Sequence, residues 1–285
     1  MSRSAQRLCL ALFGEPLEHS CSPQLQQAHA DWLGAELSYS LLPSSAEGFA
    51  SALSRARALG VSGANVTAPH KERAALACSQ LSERARALGV VNTLSWGVEG
   101  ELIGHNTDVD GLCLSFERLT EDLDVRAPRA LRVIGAGGSA RAVAWAALER
   151  GFERLELVAR RPEATQRFSE WFEPLRGSME LKLMAPHEQG VERVALIALA
   201  TPPLGLEALE SLLEAQGQAR CQSLLDLNYG ARAELSRSWA TRHRLPYQDG
   251  LLMLAEQGRR SFERWTGALP PLECSLKALA AGSSS

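Results

Sequence analysis

Residues Ala130–Gly151 read ALRVIGAGGSARAVAWAALERG: an apolar run breaks on glycines and then resumes with helical spacing. The pattern predicts a strand, a tight loop and a helix. Gly135, Gly137 and Ala140 fill the small positions of a G-x-G-x-x-A fingerprint, and each has a separate physical task. Gly135 permits the turn out of the strand. Gly137 has no Cβ, so a pyrophosphate can approach the backbone, and Ala140 lets the helix lie close on the sheet. The open N–H groups and positive end of the helix then face the phosphates.

Alone, such a loop is a weak signal; its surroundings strengthen it. Gly151 stands where a helix C-cap belongs, and Arg154–Arg161, RLELVARR, alternates apolar residues as a second strand would. Together these make a Rossmann βαβ unit. A site for NAD would carry Asp or Glu at the end of that second strand, whereas this chain has Ala159, Arg160 and Arg161. Two guanidinium groups there suit a 2′-phosphate and favour NADP over NAD. The competing reading is a solvated basic strand end.

The totals bound the rest. A chain of 285 residues, 45% hydrophobic and 22% charged, is long enough for two cores, and two domains are expected. A net charge of −3 gives no electrostatic reason for a nucleic-acid or anionic-membrane partner, which leaves a small molecule. Cys9, Cys21, Cys78, Cys113, Cys221 and Cys274 form no C-x-x-C pair. Neither a metal site nor a disulfide framework is expected, and the thiols read as reduced, in a cytoplasmic protein. The opening MSRSAQRLCLALFG reads as a first strand, not a cleaved leader. No apolar run approaches the roughly 20 residues of a membrane helix.

From the start, Leu8–Phe13 reads as a buried parallel strand that ends at Gly14 and Pro16. The loop after it carries His19-Ser20-Cys21-Ser22-Pro23. Ser22 before Pro23 is a natural helix N-cap, while Ser20 has no such explanation and could bond a ligand. A helix over Pro23–Leu33, a strand over Leu37–Leu42 and a helix over Phe49–Leu59 closed by Gly60 follow. Val61–Lys71, VSGANVTAPHK, is a short strand running into a turn that bears Asn65, Thr67, His70 and Lys71. Val90–Leu94 reads as a strand containing Asn92 and Thr93, and Asn106, Thr107, Asp108 and Asp110 crowd a loop before the next helix. The repeated strand and helix make the first hundred residues an α/β unit of their own. An isolated Lys71 would be a surface lysine, but Lys71 and Asp108 could also pair beside a substrate hydroxyl and move a proton.

Taken together, these stretches resemble shikimate dehydrogenases. The residues that carry the resemblance are His19–Pro23, Asn65–Lys71 (NVTAPHK), Val91-Asn92-Thr93, Asn106-Thr107-Asp108, the Gly135–Ala140 loop, Asp226–Tyr229 (DLNY) and Asp249–Gln257 (DGLLMLAEQ). Their order and spacing match over nearly the whole chain. The resemblance implies reversible NADP-dependent reduction of 3-dehydroshikimate to shikimate in aromatic amino-acid (chorismate) biosynthesis, by a monomer or homodimer. It also implies roles. Lys71 and Asp108 would be the catalytic pair. Ser20 and Ser22 would bind the substrate carboxylate, with Tyr229 closing that end, and Thr67, Asn92 and Gln257 would meet its hydroxyls or hold the pocket. Cofactor contacts would come from Gly135, Ala136, Gly137, Gly138, Ser139, Ala140, Arg160, Arg161, Thr201 and Gly250. Lys71 would donate a proton or stabilise developing alkoxide.

The implied fold is α/β: an N-terminal substrate domain over 1–108, a Rossmann-type NADP-binding domain over 109–249, and C-terminal helices from about 250 to 285 returning to the substrate domain. Val194–Thr201 and Leu224–Leu227 read as further strands, and Ala280–Ser285 as a frayed end. Three places depart from common family patterns: Ala159-Arg160-Arg161 stands for N-R-T, Thr201-Pro202-Pro203 replaces a serine-rich turn, and Leu252 stands where glycine is frequent. A quinate/shikimate dehydrogenase and a non-catalytic sensing protein of the same fold are the alternatives. Arg160 counts against the first. Retained Lys71, Asp108 and phosphate loop count against the second.

Overall fold

Alternation of strand and helix signals along the chain becomes two open sheets flanked by helices. The structure, a computed structural model, describes residues 7–121, 129–188, 193–215 and 221–282. These fall into two compact units, one of the residues up to Asp108 together with those from Leu254, the other Val109–Met253.

The first unit contains β1 (Arg7–Gly14), α1 (Ser22–Leu33), β2 (Glu36–Pro43), α2 (Phe49–Ala58), β3 (Gly63–Val66), α3 (Lys71–Ala77), β4 (Gln80–Leu81), α4 (Glu83–Leu88), β5 (Thr93–Trp96) and β6 (Leu102–His105). Its sheet order is β2-β1-β3-β5-β6-β4, antiparallel only where β5 meets β3 and β6. The alternation of side chains along β1 builds two cores. Ala11 and Phe13 face one side with Phe49, Val61 and Leu94, while Leu8 and Leu10 face the other with Ala30 and Phe262.

The second unit takes most of α5 (Asp108–Thr120), then β7 (Ala130–Ile134), α6 (Gly138–Glu149), β8 (Arg154–Val158), α7 (Pro162–Phe172), β9 (Glu180–Met184), β10 (Val194–Leu199), α8 (Leu206–Ala215), β11 (Cys221–Asp226), α9 (Glu234–Arg242) and β12 (Tyr247–Gln248). Its order, β9-β8-β7-β10-β11-β12, is parallel throughout. In chain order of these strands that is 3-2-1-4-5-6, the doubly wound arrangement, with the switch point between β7 and β10. The chain closes with α10 (Leu251–Thr266) and α11 (Leu272–Gly282).

Several local expectations change. Cys21, not Ser22, holds the N-cap position of α1, and no side chain caps it there; instead the Ser20 hydroxyl accepts the Ser22 N–H at 3.2 Å. Ser22 has moved into the helix because Pro23 fits its first turn equally well one place later. Lys71 opens α3 rather than sitting in a turn, and Asp108 opens α5, which takes Asp110 into the helix. The regular strand begins at Thr93, although the Asn92 carbonyl already accepts the Val66 N–H at 2.8 Å and the Asn92 N–H donates to the His105 carbonyl at 3.1 Å. Gly151 follows the C-cap Arg150 in a left-handed conformation, φ 68°. The second Rossmann strand ends at Val158, and Glu156 within it is fully buried against Arg132 on β7, its Oε2 accepting from Arg132 Nε at 2.7 Å. A charge between two parallel neighbours is tolerated only when paired in this way. At the end, Ala280–Gly282, expected to fray, are helical within α11; Ser283–Ser285 lie outside the described residues.

Candidate active site

In the first unit the chemistry converges where β3, β5, β6, α3 and α10 supply short polar side chains. Lys71, at the first position of α3, donates from Nζ to Asp108 Oδ2 at 2.6 Å, and their side chains are 14% and 6% exposed. Asp108 Oδ1 accepts from Asn92 Nδ2 at 2.8 Å. The same amide nitrogen lies 3.0 Å from Thr107 Oγ1 and 3.3 Å from Gln257 Oε1. Two amide hydrogens thus face three acceptors, and Gln257 holds the longest of the contacts. Asn92 Oδ1 accepts the Thr107 N–H at 2.8 Å and the Thr93 hydroxyl at 2.9 Å, which fixes the carboxamide and aims Nδ2 at Asp108.

Behind these residues stands a buried layer. Ser261 Oγ lies 2.7 Å from Thr93 Oγ1, 3.1 Å from Thr107 Oγ1, and accepts from Asn65 Nδ2 at 3.0 Å. Tyr39 donates to Asn65 Oδ1 at 3.0 Å and also meets the Ser22 hydroxyl; burial pushes the Tyr39 phenol far up, against the Ser22 bond, so it stays neutral. One hydrogen-bonded path therefore runs from Ser22 through Tyr39, Asn65, Ser261 and Thr107 to Asn92, Asp108 and Lys71. Thr67 leans its methyl on Gly14, where a Cβ would fall 2.2 Å from Thr67 Cγ2. The structure therefore brings Lys71, Asn92, Asp108 and Gln257 together and ties Ser20 and Ser22 to the same unit. Tyr229 belongs to the second unit.

Tyr39 and Ser261 escape a reading of the sequence. The one signal for Ser261 is its spacing, four residues after Gln257, which places both on one face of a helix. Nothing marks Tyr39 before β2 is paired with β1.

The second unit carries the phosphate loop at its switch point. Gly135 has φ 122°, and a Cβ there would lie 2.3 Å from the Ala200 carbonyl oxygen, so only glycine turns the chain at this place. Gly137 differs. A Cβ would meet nothing within 4 Å, so the protein itself gives no reason for glycine there. Gly137 is also the N-cap of α6, with no side-chain cap, which leaves first-turn N–H groups of Gly138 and Ser139 open to an anion. Ala140 is fully buried against the sheet. Arg160 and Arg161 follow β8, exposed, with no side-chain partner among the described residues. An open cradle and two unpaired guanidiniums fit a dinucleotide bearing a 2′-phosphate. Thr201 stands at the end of β10, its hydroxyl donating to Pro202 O at 2.7 Å. Gly250 has a packing reason of its own, since a Cβ would fall 2.4 Å from Leu227 O. Asp226 is 3% exposed, and burial raises its pKa against hydrogen bonds from Ser236 and Asn228.

Among the described residues no cluster of His, Cys, Asp or Glu could hold a metal ion, and no helix is long and apolar enough to cross a membrane.

Residues 12–94 match the family model for the shikimate dehydrogenase substrate binding domain, and 250–279 that for the shikimate 5'-dehydrogenase C-terminal domain. The chain is 38% identical over 287 aligned residues to shikimate dehydrogenase (NADP(+)) of Xanthomonas campestris pv. campestris (strain 8004), covering 95% of each. Among solved structures it is similar to shikimate dehydrogenase from Aquifex aeolicus, at TM-score 0.82 and 26% identity over 98% of this chain and 99% of that one. It is also similar to shikimate 5-dehydrogenase from Thermus thermophilus in complex with NADP(H) and shikimate, at TM-score 0.74 and 29% identity over 96% and 99%. The chain belongs to the shikimate dehydrogenase family.

Proposed function

We infer that this protein is an NADP-dependent shikimate dehydrogenase, reducing 3-dehydroshikimate reversibly to shikimate in chorismate biosynthesis. The observation that carries this reading is the largely buried Lys71–Asp108 pair at 2.6 Å with Asn92 beside it, in a chain similar over its length to enzymes of that name. Bound NADP supplies the redox equivalent. The protein's residues do the rest. Asp108 takes one N–H of the Lys71 ammonium; the other two have no partner among the described residues and are available to a substrate oxygen. At the carbonyl being reduced, Lys71 donates the proton and its charge stabilises the developing alkoxide; in oxidation it takes the proton back. Asn92 holds Asp108 in place. Because its contact with Asn92 is the longest of the three, Gln257 is the group most easily exchanged for a ring hydroxyl.

Residues 1–108 with 250–285 act as the substrate domain and 109–249 as the NADP domain in this reading. Support for the first assignment is the cluster around Asp108, with Ser20, Ser22 and Thr67 offering hydroxyls to the carboxylate and ring; Tyr229 is assigned to the carboxylate end by the resemblance alone. Support for the second is the open face at Gly137 and the exposed guanidiniums of Arg160 and Arg161. We further place the protein in the cytoplasm, acting as a monomer or homodimer; its six cysteines are free thiols. Mixing purified protein with 3-dehydroshikimate and NADPH tests the activity: NADPH absorbance should fall as shikimate accumulates in equal amount, and no consumption of either would overturn the reading.

A further inference from the structure

Three segments leave the C-terminal edge of the second sheet side by side: the turn after β10, the turn after β11 and the link from β12 into α10. All three are joined at Asn228. Its side-chain Nδ2 donates to the Thr201 carbonyl at 3.1 Å and to Asp226 Oδ1 at 2.8 Å. Its backbone N–H donates to the same carboxylate oxygen at 2.9 Å, and its carbonyl accepts the Gly250 N–H at 2.9 Å. The anchor is buried. Asp226 is 3% exposed and its second oxygen takes the Ser236 hydroxyl at 2.6 Å. Gly250 is packed so tightly that a Cβ would fall 2.4 Å from the Leu227 carbonyl oxygen and 3.3 Å from that of Asn228.

Thr201 and Gly250 are the two residues assigned to the cofactor away from the phosphate loop and the arginines. Asn228 fixes both relative to one buried carboxylate while leaving Gly135–Ala140, Arg160 and Arg161 untouched. We propose that Asn228, locked on Asp226, is a positioning residue for the nicotinamide end of the NADP site: it sets where the Thr201 turn stands without being required to touch the nucleotide. A leucine or alanine would release the turn. The inference rests on the reading of this unit as the NADP domain.

The test compares two ligands on one variant. Asn228→Ala removes both side-chain bonds and keeps both backbone bonds. NADP should bind about tenfold more weakly, as expected for two lost hydrogen bonds of ordinary strength, whereas 2′,5′-ADP, which carries only the phosphate end, should bind as it does to the unaltered protein. Fluorescence or calorimetric titration reads both. Unchanged affinity for NADP would overturn the proposal, and so would an equal loss for the two ligands, the mark of a general structural defect. If Asn228→Ala does not fold, Asn228→Leu, close in volume and without a donor, gives the same comparison. Failure of the unaltered protein to bind NADP would sink the functional reading itself, a result distinct from either outcome above.

Discussion

Lys71 and Asp108 are held by different means, and this decides what each substitution does. Asp108 keeps its Asn92 bond when Lys71 is removed, so a partner remains in place of a fully stranded charge. Lys71→Ala should therefore fold, lower turnover by about two to four orders of magnitude, the usual worth of a placed proton donor, and change NADP affinity little; steady-state rates and a nucleotide titration check both parts. The two serines separate in another way. Ser20→Ala removes the acceptor of the Ser22 N–H at the start of α1 and should cost about 1 kcal/mol in urea unfolding. Ser22→Ala should leave that helix end unchanged and act through Tyr39 and through the substrate hydroxyl contact proposed for it. This reverses what the sequence implies, because Ser-Pro marks a helix start without saying which residue is the cap. Lys71, Asn92, Asp108 and Gln257 were legible since each lies in a distinctive motif. Tyr39 and Ser261 were not, for a lone tyrosine in a strand and a lone serine in a helix carry no mark until the elements that face them are known.

Among elements, the phosphate loop shows how two glycines in one motif answer to different forces. Gly135→Ala should lower stability and the yield of folded protein, because φ 122° and the Ala200 carbonyl both oppose a side chain. Gly137→Ala should leave the melting temperature nearly unchanged yet weaken NADP binding, since its Cβ meets only the space assigned to the ligand; equal melting losses for the two would contradict this division. Elsewhere α1 and α11 are pinned by His29, fully buried, with Nε2 2.8 Å from Ser275 Oγ. Burial, aided by Arg259, lowers its pKa to about 4. Between its ordinary value of 6.5 and about 4 the unfolded chain then binds more protons than the folded one, so this contribution to stability is present above 6.5 and lost as pH falls through 4. His29→Gln should flatten that part of the urea-stability profile. The βαβ unit was legible because loop, helix and strand each carry their own pattern. Burial of Glu156 was not, since only the register of β7 against β8 puts Arg132 opposite it.

At the scale of the molecule, the strand order 3-2-1-4-5-6 of the second unit follows from right-handed crossovers once its strands are found. The first unit was legible as α/β but not as a mixed sheet. Its antiparallel β3-β5-β6 portion depends on short strands of four residues each, too brief to reveal their direction from pattern. That portion also carries Asn65 and Thr93 and leads into Asp108, so the part of the fold hardest to read is the part that assembles the site. The proposed activity pairs one substrate with one cofactor. Initial rates of nicotinamide absorbance change in four mixtures, shikimate or quinate with NADP or NAD, put that pairing to the test in a single experiment. Shikimate with NADP should dominate. A rate dominated by quinate or by NAD, or none in any mixture while shikimate still binds, would refute it.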